Sequence, residues 1–447
     1  MRKMCSIGIR PMMMVALMLC ALGTKAQEKL TLTLDQAIEI ALSDNPTIQV
    51  AEQTIELKKI SNKETVLGLL PEASLSGAYT RTIKKQTMVM DMPGVGTQRF
   101  KVGIPNQYQG GVTVSLPIFA PTLYKSMKLT KTDVALAVEQ ARASKQDLIN
   151  QVTKAFYQTL LAQDSYAVLQ KAFAQSEENF RIVNAKYEQG RVSEFDKISA
   201  EVQMRNLQPS VISARNGVEL SKLQLLVLMN IDPETEIELE GSLNDYEEDV
   251  FTGVLTADTN SLKSNSTLAQ LDMNVKMLQQ SLSINKQSFA PIVALQFNYM
   301  YTCMANDFKF KDYEWNPYSN LSLSVSIPLF KYSNFSAVKK TNLQIAQLRT
   351  NRDYTARQLE MQQQSYLNSM AASAEQVSSN KEAIVQAQKG RDIAEKLYEV
   401  GRGTVLELNS AEVALTQAQL TYAQSIFDYL SAKADLDKLQ GKEYINN

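Results

Sequence analysis

Two hydrophobic periodicities run along this chain. Leu321, Leu323, Val325, Ile327 and Leu329 alternate with Ser322, Ser324, Ser326 and Pro328, and Val293, Leu295, Phe297, Tyr299 and Tyr301 alternate with Ala294, Gln296, Asn298 and Met300. A period of two sends each set to one face of a strand, here a greasy face and a hydroxyl- and amide-lined one. An earlier pair is less regular: Val112, Val114, Leu116 and Ile118 alternate with Thr113 and Ser115, and Ala73 to Tyr79 form the partner. Each segment has about the 9–11 residues that a tilted strand needs to cross a bilayer.

The other period is seven. Pro121 to Tyr187 spans 67 residues without an interior Gly or Pro; as a helix rising about 1.5 Å per residue it would extend roughly 100 Å, wider than a globular core. Leu148, Ala155, Ala162, Leu169 and Val183 form one apolar line and Val152, Tyr166, Phe173, Phe180 and Tyr187 another, as in a coiled-coil seam. Asp196 to Asn230 (35 residues) follows a turn and Asn45 to Leu70 (26 residues) precedes the first strand, together 61 of the 67. The early helix runs directly into a strand, so it is expected beside the strand-proximal half of the long helix, and the return helix beside the distal half. Lys331 to Tyr398 is the second long helix, with Gln363, Ser373, Asn380 and Arg391 at the equivalent seam positions. Such a seam suits a helix wall wetted on one side; a shifted phase is the alternative.

Both periods occur twice because the sequence is duplicated. Asn45–Pro71 and Asn265–Pro291 are each 27 residues long, at an offset of 220. SLPIF (Ser115–Phe119) matches SIPLF (Ser326–Phe330), and YEQGRVSEFDKISAEV (Tyr187–Val202) matches YEVGRGTVLELNSAEV (Tyr398–Val413), both at an offset of 211. Nine extra residues in the first hairpin loop account for the change. The expected organisation is a leader (1–26), a first repeat (27–230), an inter-repeat segment (231–264) and a second repeat with a C-terminal tail (265–447). Each repeat reads helix, strand, loop, strand, long helix, tight turn, helix, which makes the fold class α+β with four strands per chain.

Four strands cannot close on themselves, and an open edge in lipid leaves backbone groups unpaired, so copies of the chain must pool strands. Two chains give eight and three give twelve. Phe119, Tyr313, Trp315, Phe330 and Tyr332 lie at strand ends or in the intervening loops, where aromatic girdles belong. Edge strands of a soluble sandwich are the alternative.

Composition narrows the chemistry. The 447 residues include 46 Lys plus Arg, 47 Asp plus Glu and no histidine. No imidazole is available, which excludes histidine-based catalysis and zinc sites needing imidazole; no catalytic, cofactor or metal residue is assigned, and the chain is not expected to be an enzyme. Balanced charge offers no phosphate-binding face, which argues against nucleic acid. Arg2, Lys3, Arg10 and Lys25, an 11-residue apolar run from Met12 to Leu22, and small residues before Gln27 read as a secretory signal peptide. Its removal would leave 42 − 47 = −5 and Cys303 as the one cysteine, read as a small apolar filler.

A leader, LTLDQAIEIALSDNP, LLP before the first strand, paired SLPIF and SIPLF strand ends, and paired Tyr-x-x-Gly turns resemble the outer membrane efflux protein (TolC) family over Leu32 to about Leu439. The resemblance implies a homotrimer: a twelve-stranded β-barrel in the outer membrane of a Gram-negative-type envelope, continued across the periplasm by an antiparallel coiled-coil tunnel. It also implies a passive exit duct of a tripartite efflux or type I secretion system. The partners it implies are a periplasmic adaptor (membrane fusion) protein, an inner-membrane pump of RND or ABC type, and outer-membrane lipid. The choice of three copies comes from the resemblance alone.

The turns carry the site. In YEQGR and YEVGR, Gly190 and Gly401 supply the backbone freedom that ends a long helix, and Asp196 and Glu407, near the starts of the return helices, complement the helix dipole. The resemblance assigns these residues, with Tyr187, Arg191, Tyr398, Arg402 and Ser410, to a periplasmic tip where the tunnel closes and the adaptor docks. Three copies of Glu407 would form a cation-favouring ring, with plain capping as the alternative; Ser410 stands where the family often has a second carboxylate. Pro209, opposite Leu420 of the second copy, is expected to kink its helix. Ile231 to Lys263, with Glu240, Asp245, Glu247, Glu248 and Asp249, reads as a solvated surface or an adaptor contact. The rival functions are a structural coiled-coil adhesin or periplasmic spacer, which serine-alternating strands disfavour, and a glycosidase using Asp196 and Glu407, which lacks a pocket-forming context.

Overall fold

The computed structural model describes residues 30–94, 96–256 and 262–443, so the leader lies outside the described residues. In chain order the elements are β1 (Leu30–Leu32), α1 (Leu34–Asp44), α2 (Pro46–Leu67), β2 (Glu72–Arg81), β3 (Gln86–Met92), β4 (Gly96–Val102), β5 (Asn106–Phe119), α3 (Pro121–Glu188), α4 (Glu194–Leu228), β6 (Ile237–Leu239), α5 (Glu247–Thr256), α6 (Ser266–Gln287), β7 (Ile292–Ala305), β8 (Asn316–Ser326), α7 (Tyr332–Glu399) and α8 (Val405–Gln440). Two compact units result, each drawing on both copies: residues 51–141 with 267–356, and, among the described residues, 30–50 with 142–266 and 357–443. Among the described residues no helix is long and apolar enough to cross a membrane.

The first unit holds a four-stranded antiparallel sheet in the order β2-β5-β7-β8. Its register sorts the alternating residues cleanly, because paired residues share a face. Phe297 lies between Val114 and Leu321, and Leu295 between Leu116 and Leu323, so one face is apolar. The other face carries a hydrogen-bonded row: Thr113 Oγ1 donates to Asn298 Oδ1 and Asn298 Nδ2 to Asn320 Oδ1, both at 2.8 Å. Cys303 is buried on the apolar face opposite Tyr108.

Two strand expectations need correction. β8 stops at Ser326, so Ile327 and Leu329 leave the sheet; Pro328 has no N–H to continue a ladder. β5 absorbs the matching Pro117 through a register shift between Pro117 and Phe119. The longer loop of the first copy is itself a hairpin, β3 paired with β4 from Gln86↔Val102 to Met92↔Gly96.

The early helices pack as the chain direction dictates. α2 meets the first part of α3 through Lys58–Asp133 at 2.8 Å and Thr130 Oγ1 donating to Asn62 Oδ1 at 2.9 Å. α6 meets the first part of α7 through Arg352–Asp272 at 3.0 Å and Asn285 Nδ2 donating to Thr341 Oγ1 at 3.0 Å.

The second unit has the larger core, in which Ile38, Val152, Phe156, Leu160, Leu225, Ile426 and Tyr429 are fully enclosed. Of the predicted seam residues, Leu148, Val152, Ala155 and Val183 are buried on α3 and Gln363 and Ser373 on α7, while Ala162, Tyr166, Leu169, Phe173, Phe180, Tyr187, Asn380 and Arg391 are half-buried. The inter-repeat segment is not only solvated surface. β6 pairs in parallel with β1, and Ile237, Leu239, Leu243 and Val250 join the core, while its acids turn outward or cap: Asp245 accepts from Ser242 N at 2.7 Å and Glu247 pairs with Lys381 at 2.7 Å. Matching asparagines fix both return helices: Asn45 Nδ2 donates to Leu228 O at 2.8 Å and Asn265 Nδ2 to Leu439 O at 2.7 Å. α4 runs unbroken through Pro209. The carbonyl four residues earlier belongs to exposed Arg205, where water can replace the missing bond.

Candidate functional site: the two hairpin turns

Both long helices end in the same way. Gly190 and Gly401 adopt φ of +68° and +72°, the left-handed region that side chains with a Cβ avoid. Each turn then closes with the same pair of bonds: Gly190 N to Tyr187 O at 2.8 Å and Arg191 N to Lys186 O at 2.9 Å; Gly401 N to Tyr398 O at 3.2 Å and Arg402 N to Leu397 O at 2.9 Å. The six-residue bond is that of a Schellman motif, which satisfies carbonyls a helix would otherwise leave open.

The return helices begin on reciprocal capping boxes. Asp196 N donates to Ser193 Oγ at 3.2 Å while Asp196 Oδ2 accepts from Ser193 N at 3.1 Å and Ser193 Oγ at 2.7 Å. Glu407 N donates to Thr404 Oγ1 at 3.2 Å while Glu407 Oε2 accepts from Thr404 N at 2.8 Å and Thr404 Oγ1 at 3.1 Å. These bonds, the backbone one foremost, hold the Glu407 carboxyl below the ordinary glutamate range. Each acid is thus committed to its own cap, the capping reading of the sequence, and an ionised Glu407 stays exposed one turn before exposed Ser410.

The turns also share a small core. Val183, Ala200 and Val405 are buried together, with Phe180, Val192 and Tyr398 packed on them. Tyr398 is the point where the two hairpins meet: the Lys186 ammonium stands 4.5 Å from its ring centroid, and its hydroxyl is buried with no hydrogen-bond partner among the described residues. Burial, and then the nearby Asp196 charge, push its pKa up. Tyr187 instead carries Lys197 over its ring at 5.0 Å. Arg191 and Arg402 are exposed. Sequence reasoning passed over Ser193, Thr404 and Lys186; the spacing of Ser193 to Asp196 and of Thr404 to Glu407 was the available signal for the first two.

Long helical hairpins joined to strands with one apolar and one polar face are the plan of an outer-membrane channel subunit. The family profile for outer membrane efflux proteins matches residues 37–230 and 259–442, and the chain belongs to that family, one of channels rather than enzymes. Its place is the outer membrane of a Gram-negative envelope, with the helical part on the periplasmic side. The chain is 20% identical over 348 residues to outer membrane protein TolC of Vibrio cholerae serotype O1, covering 74% of this chain and 76% of that one. It is 21% identical over 429 residues to outer membrane protein TolC of Escherichia coli strain K12, covering 91% and 81%. Among solved structures, the outer membrane protein VceC of Vibrio cholerae superposes with a TM-score of 0.72 at 15% identity, covering 91% of this chain and 96% of that one.

Proposed function

We propose that three copies of this chain pool their sheets into a twelve-stranded barrel continued by a helical tunnel, forming the passive exit duct of a tripartite efflux or type I secretion assembly. One observation carries the reading: the sheet ends on two open edges, β2 and β8, whose residues are exposed throughout, including Leu75 at 82% and Leu321 at 67%. In lipid, unpaired strand edges are prohibitive, and a β8-to-β2 contact between copies removes every one of them. The polar row through Thr113, Asn298 and Asn320 then lines the water-filled side.

The turns at Gly190 and Gly401 form the periplasmic tip in this reading, where the duct closes and a periplasmic adaptor docks; an inner-membrane pump supplies the energy, and the pump chooses between small molecules and polypeptides. Three exposed Glu407 carboxylates would favour cations there. Single-channel recording in planar bilayers tests the reading: purified oligomers should conduct, and a protein that never conducts in its oligomeric form rejects the duct. Glu407→Ala should relieve block of the channel by divalent cations, whereas unchanged block removes the gating role from this residue.

A further inference from the structure

The connection from β2 to β5 carries the ribbon β3–β4, a two-stranded sheet that no third strand joins. It sits at the strand ends opposite those that meet α2 and α3. Such a ribbon is only marginally stable by itself, and every residue of both strands is exposed. The ladder sorts its side chains onto two faces. One face pairs Thr87 with Lys101, Val89 with Arg99 and Asp91 with Thr97. The other carries Met88, Met90 and Met92 in succession along β3, with Phe100, Gln98 and Gly96 opposite them, and holds no charged residue.

An apolar face does not need methionine. Contact with lipid or with a partner protein is served by β-branched and aromatic residues, which fit a pleated surface, whereas the methionine side chain is unbranched, flexible and polarizable. What three aligned thioethers supply is soft sulfur, the ligand type that selects Cu(I) over hard, oxygen-seeking ions. Alternate residues of a strand stand roughly 6.8 Å apart, and less where the strand twists strongly, as two-stranded ribbons do. Met88 and Met92 can therefore lean toward Met90 from either side. Phe100, directly across from Met88, adds a ring whose face attracts a cation, and Gly96, across from Met92, leaves open space. The feature belongs to the first copy alone, since residues 306–315, which join β7 to β8, contain no methionine.

We propose that Met88, Met90 and Met92 together bind one soft monovalent metal ion of the Cu(I) class. The site lies within one chain and depends neither on the number of copies in the assembly nor on conduction. Equilibrium dialysis of the purified full chain against Ag(I), a redox-stable ion of the same class, in buffer free of chloride and thiols tests it, with bound silver read by mass spectrometry. The comparison is with a chain carrying Met88→Leu, Met90→Leu and Met92→Leu together, which keeps the face apolar and leaves the Cys303 thiol present in both proteins. The parent should hold one more Ag(I) per chain than the triple variant, and an excess of Zn(II) should not displace that ion. Met90→Leu alone should weaken its binding by about tenfold or more. Equal silver content in the parent and the triple variant overturns the proposal, as does displacement by Zn(II) or an unchanged affinity in Met90→Leu. A parent that takes up no Ag(I) rejects it outright.

Discussion

The return helices α4 and α8 occupy matching places in the two copies and differ in how much apolar surface they bury, α4 sending only Leu225 and Leu226 into the larger core. α8 sends Tyr422, Ile426, Tyr429, Leu430 and Leu436 into the core of its unit. α4 leaves Phe195, Ile198 and Val202, and then Leu220, Leu223 and Val227, exposed, with Leu220 at 68% and Val227 at 66%. Both exposed runs step by three and then four residues, the spacing of a coiled-coil seam. A stripe this regular is an apolar surface of the kind that marks an interaction site. The second copy thus spends more of its return helix on the chain's own core, and in the proposed oligomer the exposed stripe of α4 is the face offered to another copy.

Substitutions can break this comparison. Ile426→Ala should lower chain stability by about 2–5 kcal/mol, the range for a fully enclosed aliphatic side chain, as read by denaturant titration. Leu220→Ala with Val227→Ala should leave that titration nearly unchanged and instead weaken the oligomer, as read by light scattering in detergent. If the α4 pair destabilises the isolated chain as much as Ile426→Ala does, the two helices are not different in kind. At the turns the copies should behave alike. Gly190→Val and Gly401→Val force a Cβ into the left-handed region with open space around it, so each should cost about 1–2 kcal/mol from the backbone alone, and the corresponding asparagine variants less. Ser193→Ala and Thr404→Ala should each cost about 1 kcal/mol, the usual loss of an N-cap. A marked inequality between the two would show that one turn carries a further load.

The smallest effect is that of pH. Because its cap bonds depress the Glu407 pKa, its contribution is fully present above the unfolded glutamate value of about 4.3 and fades as pH falls through the lower folded value. Stability of the Glu407→Gln protein should accordingly depend less on pH in that acid window than the parent protein does, with the parent more stable near neutrality and the two converging as pH falls through the window.

The parts legible in the sequence were those with a local period. Alternation from Val293 to Tyr301 and from Leu321 to Val325 placed two strands and their faces, since a strand's sidedness is written in neighbouring residues. The seams of α3 and α7 were equally visible, and so were the glycine turns. The strand end at Pro328 was misplaced because alternation continues in sequence after the ladder has lost its donor. The pattern predicts only a long loop where β3 and β4 pair, because neither strand alternates cleanly, although Pro93 and Gly94 mark a turn between Met92 and Gly96. The pairing of β1 with β6 was out of reach: Leu30 meets Ile237 only once the helices between them have packed, and three-residue strands carry no period of their own. The meeting of Lys186, Asp196 and Tyr398 is likewise a tertiary event between hairpins far apart in the chain.

The two asparagine clamps bear on the order of folding. Asn45 reaches Leu228 across 183 residues and Asn265 reaches Leu439 across 174. Closing loops of that length adds little free-energy cost, since each doubling adds only about 0.6 kcal/mol, but contacts so remote in sequence form slowly. The helical hairpins, whose partners lie a few turns apart, are therefore ready first, and each clamp can form only when its return helix is complete. A nascent chain halted before Leu439 would carry a finished first clamp and an open second one, making the last helix the step that locks the second copy.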